Sequence, residues 1–194
     1  MTTLKAFIVW LMLSVAGQFW GVPFIKAFTP YYEAVVERAN PDYHADIRLE
    51  FDENKNDTNI VVAATALTNL PITPNQSLPG GRTIESTVTV KHTLVPLIIL
   101  LTISLVFPVA RFRQRLALLA VTVPALLIVS AITTPLQLLG NLEIGFINAA
   151  IAAGFQRESS WVLQWMLLTE GGARWLIPLL IGIACGATVR RLYR

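Results

Sequence analysis

Cysteine is nearly missing from this chain of 194 residues: Cys185 stands alone. No internal disulfide and no cysteine-based metal cluster can form from it. Histidine is almost as scarce, with His44 and His92 far apart and both in polar surroundings. Charge is low too, at 14% Asp, Glu, Lys and Arg, against roughly a quarter in an ordinary soluble domain. Walker loops and the GxSxG, HExxH and CxxC patterns are all lacking, so the common phosphate, hydrolase, zinc and redox signatures drop out. Nothing supports a cofactor, a metal site or nucleic-acid binding. The cluster Asp52, Glu53, Asn54, Asn56, Asp57 and Asn59 offers oxygen ligands, but it lacks the glycine and terminal glutamate of an EF-hand loop. It reads as a solvated hairpin turn.

Apolar residues are abundant, at 54% of the chain, with a mean hydropathy of +0.59. A bilayer core takes about 20 mainly apolar residues per helix. The first such run is Ala6–Ile25, preceded by Lys5. Ser14-Val15-Ala16 is a small-x-small site of the kind that ends a cleaved signal peptide. The apolar character nevertheless continues through Phe19, Trp20, Val22 and Phe24, which favours an uncleaved anchor. The second run is Thr93–Ala110, the third Leu116–Leu139, and the last Trp175–Val189. Pro124 and Pro135 lie in the third, where neighbouring groups can satisfy the carbonyls they free.

Residues 26–92 differ in kind, with nine acidic and six basic side chains. Thr29-Pro30 is an N-cap and first-turn proline pattern that predicts a short helix over YYEAVVERAN. ADIRLEF then alternates Ile47, Leu49 and Phe51 with Asp46, Arg48 and Glu50, the period-2 signature of a half-buried strand. DENKNDTN predicts a turn and NIVVAATAL the returning strand. LPITPNQSLPGG, with three prolines and two glycines, predicts a loop, and TIESTVTVKH a third strand. A sheet of this size is marginal alone. It needs the membrane helices, its own helix or a partner to lean on.

Between the third and fourth runs, Asn141 is placed to cap a helix through IGFINAAIAAGF, with Ile144, Ile147 and Ile151 on one face. QRESS breaks it, and Ser159 or Ser160 can cap SSWVLQWMLL. These read as two amphipathic pieces at a membrane surface, with Trp161, Trp165 and Trp175 as interfacial anchors. The alternative is a fifth hydrophobic hairpin, against which Asn148, Gln156, Arg157 and Glu158 argue.

The expected fold is therefore a mainly α membrane protein with four transmembrane helices and a small antiparallel β segment in the first extracytoplasmic loop. The expected division is an anchor over 1–25, an extracytoplasmic α/β domain over 26–92, spans two and three over 93–139, a Trp-rich extracytoplasmic loop over 140–173, and the last span with a basic tail over 174–194. Sidedness follows from the cations. Lys5, Arg111, Arg113, Arg115, Arg190, Arg191 and Arg194 give seven positives and no acids on one side, while all twelve acids lie on the other. The positive-inside rule then places both termini in the cytoplasm, as for a multi-pass protein of a bacterial inner membrane.

Glu170 and Arg174, four apart, can pair across a turn opened by Gly171 and Gly172. In one reading they contact a partner or ligand, with Gln137 near enough to join them. In the other, Arg174 snorkels to the interface and Glu170 only marks the helix entry. Cys185 is 11 residues beyond Arg174, roughly 16 Å deeper at about 1.5 Å per residue. A Cys185–His92 pair is thereby excluded, and Gly182 and Gly186 around the cysteine form a GxxxG suited to helix packing. Arg111, Arg113 and Arg115, which enclose Phe112, can attract anionic lipid but read first as topology signals, as do Arg190 and Arg191.

TVKHTLVPLIILLTISLVFP, a strand running into a proline-containing span, and EGGARWLIPLLIG give the chain a likeness in outline. It resembles the small integral membrane proteins found as companions of exosortases, in protein-sorting and exopolysaccharide-linked secretion systems. The resemblance implies an accessory role beside a membrane transpeptidase-like enzyme. The reading is a non-enzymatic subunit of an inner-membrane complex, in contact with the lipid bilayer and with another integral membrane protein. The alternative is a membrane enzyme or lipid-handling protein that uses Glu170 and Arg174.

Overall fold

The computed structural model describes residues 2–39, 43–54, 56–73, 76–152, 154, 156, 158 and 160–193. Lys55, Arg157, Ser159 and Arg194 lie outside them. The elements in order are α1 (Thr2–Ala39), β1 (Tyr43–Asp52), β2 (Asp57–Ala66), β3 (Leu70–Thr73), β4 (Gln76–Leu78), β5 (Thr83–Thr89), α2 (Val90–Val106), α3 (Phe112–Ala152), α4 (Trp161–Leu168), a π-turn (Thr169–Ala173) and α5 (Arg174–Leu192). Three helical stretches, Thr3–Ala39, Phe112–Ala152 and Trp161–Leu192, are long and apolar enough to cross a membrane, and Val90–Val106 is apolar but shorter. Their large side chains turn outward to a degree no soluble core would tolerate: Phe19 is 79% exposed and Met12 67%. This is a membrane protein with a small antiparallel sheet.

Four local expectations change. Thr29 does not cap a new helix, because its Oγ1 donates back to the Ile25 carbonyl (3.2 Å) and α1 runs on through Pro30 to Ala39. Asn141 caps nothing either, since α3 continues unbroken from Phe112 to Ala152. Its core face there is Leu142, Phe146 and Ala150, while Ile144 and Ile151 face outward. The proline-rich segment forms a short hairpin, β3 paired antiparallel with β4, rather than a loop. Val90, Lys91 and His92 belong to α2, not to the third strand. Of the two serines proposed as caps, Ser160 holds α4, its Oγ accepting from the Leu163 amide at 3.3 Å.

The sheet has the order β1-β2-β5. Ile47 faces Val62, Leu49 faces Ile60, and Ile60 faces Val88 across the ladders. This inner face joins Ile25, Tyr32 and Val36 of α1, Val90 and Leu94 of α2, and Leu138, Leu142 and Phe146 of α3 in one core. The sheet thus leans on the membrane helices, which supply the burial that its own length does not. On the outer face Arg48 reaches across the middle strand, bonding Glu50 (2.5 Å) and Glu85 (2.9 Å). Those two carboxylates hold its guanidinium above even the ordinary arginine range. The arch accounts for Val61 and Ala63 being buried on a face that otherwise meets solvent.

Neither edge is open along its whole length. On β1, the amides of Ile47 and Ala45 donate to Glu33 (3.1 Å) and Glu37 (3.3 Å), one turn apart on α1. Two carboxylates take the place of a neighbouring strand. At the other edge, Ile84 of β5 sits against α3, where a Cβ added to Gly145 would meet its Cγ2 at 2.9 Å.

At the opposite end of the helices, Arg115 has a second role besides its charge. Its guanidinium donates to the carbonyls of Ser104 (3.0 Å), Leu105 (3.0 Å) and Phe107 (3.2 Å). These are the last turn of α2 and its C-cap residue, where carbonyls have no partner within the helix. Buried Gln114 closes the turn, its Oε1 accepting from the amides of Ala110 and Arg111 (both 3.1 Å).

Candidate functional site

The sequence elements that end apolar runs converge on one polar cluster. α2 supplies His92 in its first turn, α3 supplies Gln137, the π-turn supplies Glu170, and α5 opens with Arg174. Gly172 makes the convergence possible. At φ 135° and ψ −15° it adopts a backbone that L side chains rarely take, and the chain there passes through a wide i→i+5 turn. α4 and α5 are thereby joined, with Glu170 and Arg174 brought onto the same side. Gly171 carries no such strain, and neither glycine has an atom within 4 Å of its missing Cβ. Gly172→Ala should therefore destabilise the protein by about 1–3 kcal/mol through backbone strain alone. Gly171→Ala should be neutral or stabilising by up to about 1 kcal/mol. Thermal unfolding of the two variants in the same detergent checks the contrast; equal behaviour would remove the turn argument.

Glu170 is the hub. Its Oε1 accepts from Gln137 Nε2 at 2.8 Å and is ion-paired with the Arg174 Nη2. Nε2 of His92 lies 3.1 Å from Oε1 and 3.2 Å from Oε2. The same histidine nitrogen also contacts Arg174 Nη1. One nitrogen cannot serve both neighbours in one state. Deprotonated, Nε2 accepts from Arg174; carrying a hydrogen, it donates to Glu170 and faces the guanidinium unfavourably.

Burial is unequal. The Arg174 side chain is 7% exposed, while Glu170 and His92 stand at 38% and 40%. The guanidinium is therefore held inside the protein by its partners and does not snorkel outward. Taking an arginine out of water is costly unless it is paired, and the pairing with Glu170 offsets that cost. The cluster presents a carboxylate and an imidazole on its open side, with an amide and a guanidinium behind them. That arrangement can bind a polar group or relay a proton.

The other sequence-flagged residues lie elsewhere. Trp161 and Trp175 are exposed and Trp165 is half-buried, flanking the cluster in α4 and α5. Gly182 and Gly186 are spent on packing within the chain: added Cβ atoms would meet Ile103 at 2.9 Å and the Phe107 ring at 2.5 Å. Cys185, between them and half-buried, is 11 residues along α5 from the cluster. Arg111, Arg113, Arg190 and Arg191 gather at the far end of the helices, and none has a carboxylate partner among the described residues. No group of three or more metal-ligating side chains occurs among the described residues.

His92 is the member that sequence reasoning missed. The sequence pattern puts it at a strand end, and the start of α2 at Val90, three residues earlier than the apolar run, is what turns it toward Glu170. A signal was present: with Lys91 it is one of two titratable side chains at the entry of the second apolar run, at a position where a helix can aim it at its neighbours. Neither a known family model, a curated protein nor a solved structure matches the chain.

Proposed function

We propose that the chain is a non-enzymatic accessory subunit of a bacterial inner-membrane complex, linked to protein sorting or secretion. Four helices cross the bilayer in this reading, with α2 as the short fourth span, both termini in the cytoplasm, and the sheet and polar cluster on the outer face. The distribution of cations along the sequence supports that orientation. The observation that carries the subunit reading is the consumption of Arg174. Its charge is buried and spent on Glu170 and His92, so the cluster fastens α2, α3 and α5 together and leaves the outward-turned helix faces for a partner.

Purification in mild detergent at native expression level should recover a second integral membrane protein, and a reporter fused to the C-terminus should be active in the cytoplasm. A stable, monodisperse, partnerless monomer would overturn the subunit reading. The second reading, a membrane enzyme or lipid-handling protein, draws on the half-exposed His92–Glu170 pair. Under it, Glu170→Gln and Arg174→Lys abolish function in protein that is still folded and still assembled, beyond what their lower stability removes. Loss of assembly in the same variants favours the subunit.

A further inference from the structure

Two cavities lie along the helices, the lower of them at the arginine-rich end. The lower, of about 330 Å³, is lined by Phe107, Ala187, Arg190 and Arg191. The upper, of about 270 Å³, is an apolar groove between α1, α2 and α5, lined by Phe7, Trp10, Ile99, Ile103 and Leu179 among others. They share a face. Leu179 and Arg190 are 11 residues apart, three helical turns at about 3.6 residues per turn, and so project the same way some 16 Å apart along the helix. Ile103 on α2 and Phe107, which caps that helix with its amide on the Ile103 carbonyl, carry the line of the groove downward. Both residues are pinned by close contact with α5, Ile103 on Gly182 and Phe107 on Gly186.

The chemistry of the pair is that of an amphiphile with a negative head. Arg190 and Arg191 sit at the C-terminal end of α5, where the helix dipole favours cations, and have no carboxylate partner among the described residues. A basic pocket between membrane helices with an apolar groove above it on the same face fits a phosphate ester with an acyl chain. We propose that the two cavities form one binding site for an anionic phospholipid. Its headgroup phosphate sits on Arg190 and Arg191, and one acyl chain runs up the α1–α2–α5 groove past Ile99. This site is separate from the polar cluster and does not rest on the proposed function.

The test is native mass spectrometry of the full chain, released from detergent containing equal phosphatidylglycerol and phosphatidylethanolamine. Phosphatidylglycerol should be retained preferentially. Arg190→Gln and Arg191→Gln should each lower the preference about fivefold. Arg113→Gln, which removes a charge at the same end of the helices but not from the cavity, should leave it unchanged. Ile99→Trp, which fills the groove, should weaken retention of long-chain lipid and spare dihexanoyl phosphatidylglycerol. Equal retention of the two headgroups, or equal loss in Arg113→Gln, would overturn the proposal. Displacement by millimolar inorganic phosphate, with Ile99→Trp without effect, would show a free-anion site and overturn the lipid assignment.

Discussion

Glu170→Gln is expected to destabilise the protein by about 2–3 kcal/mol, below the 3–5 kcal/mol for breaking a fully buried pair because Glu170 keeps part of its hydration. Glutamine still offers Gln137 an acceptor, so the loss falls on Arg174, left inside the protein with no anion. Arg174→Met should be milder, about 1 kcal/mol, since a half-exposed Glu170 can turn to water. The double variant should resemble Arg174→Met rather than the sum of the two, because the buried charge that made Glu170→Gln costly has gone. Unfolding followed by tryptophan fluorescence in one detergent gives all three values. A Glu170→Gln protein as stable as its parent would mean that the ion pair is not what holds Arg174 inside.

Tyr32→Ala should be more damaging, at about 3–5 kcal/mol. With roughly 2–4 °C of melting temperature per kcal/mol in a chain of this size, that is on the order of 10 °C. Tyr32 is wholly buried, its ring is stacked 5.9 Å from Phe28, and its hydroxyl shares a 2.8 Å hydrogen bond with Ser130 Oγ on α3. Deleting it opens a cavity where α1, α3 and the sheet meet. Tyr32→Phe keeps the volume and gives up only the hydrogen bond, so about 1–2 kcal/mol should be lost. The gap between these two variants separates packing from polarity. If they melt together, the hydroxyl and not the ring is the important part.

Much of this architecture can be read from residue order. Long charge-free runs announced the apolar helices, and the alternation of Ile47, Leu49 and Phe51 with charged neighbours announced β1. What misled were local signals whose meaning depends on distant atoms. Thr29-Pro30 has the form of a helix start, yet the packing of Tyr32 and Val36 into the core makes it more favourable for α1 to continue. Asn141 has the form of a helix N-cap, yet α3 runs straight through it and through Gly140 before it. The glycine is needed for clearance, since a Cβ there would come within 2.5 Å of the Met166 Cβ. The pairing of Glu170 with Arg174 was within reach because both lie on four residues of spacing. His92 was not, because its place in the cluster joins positions 78 residues apart in sequence, and no periodicity encodes that.

In the proposed four-span arrangement, the shortness of α2 has a consequence for the bilayer around it. Its 17 residues rise about 25 Å, some 5 Å less than a typical hydrocarbon layer. A lone helix of that length would have to pinch the lipid or leave bare carbonyls in oil. Here Arg115 occupies the carbonyls at one end, a strand takes over directly at the other, and nine of the helix's residues are enclosed by the protein. In that four-span arrangement the thickness mismatch is absorbed within the bundle, and the surrounding lipid meets the longer helices.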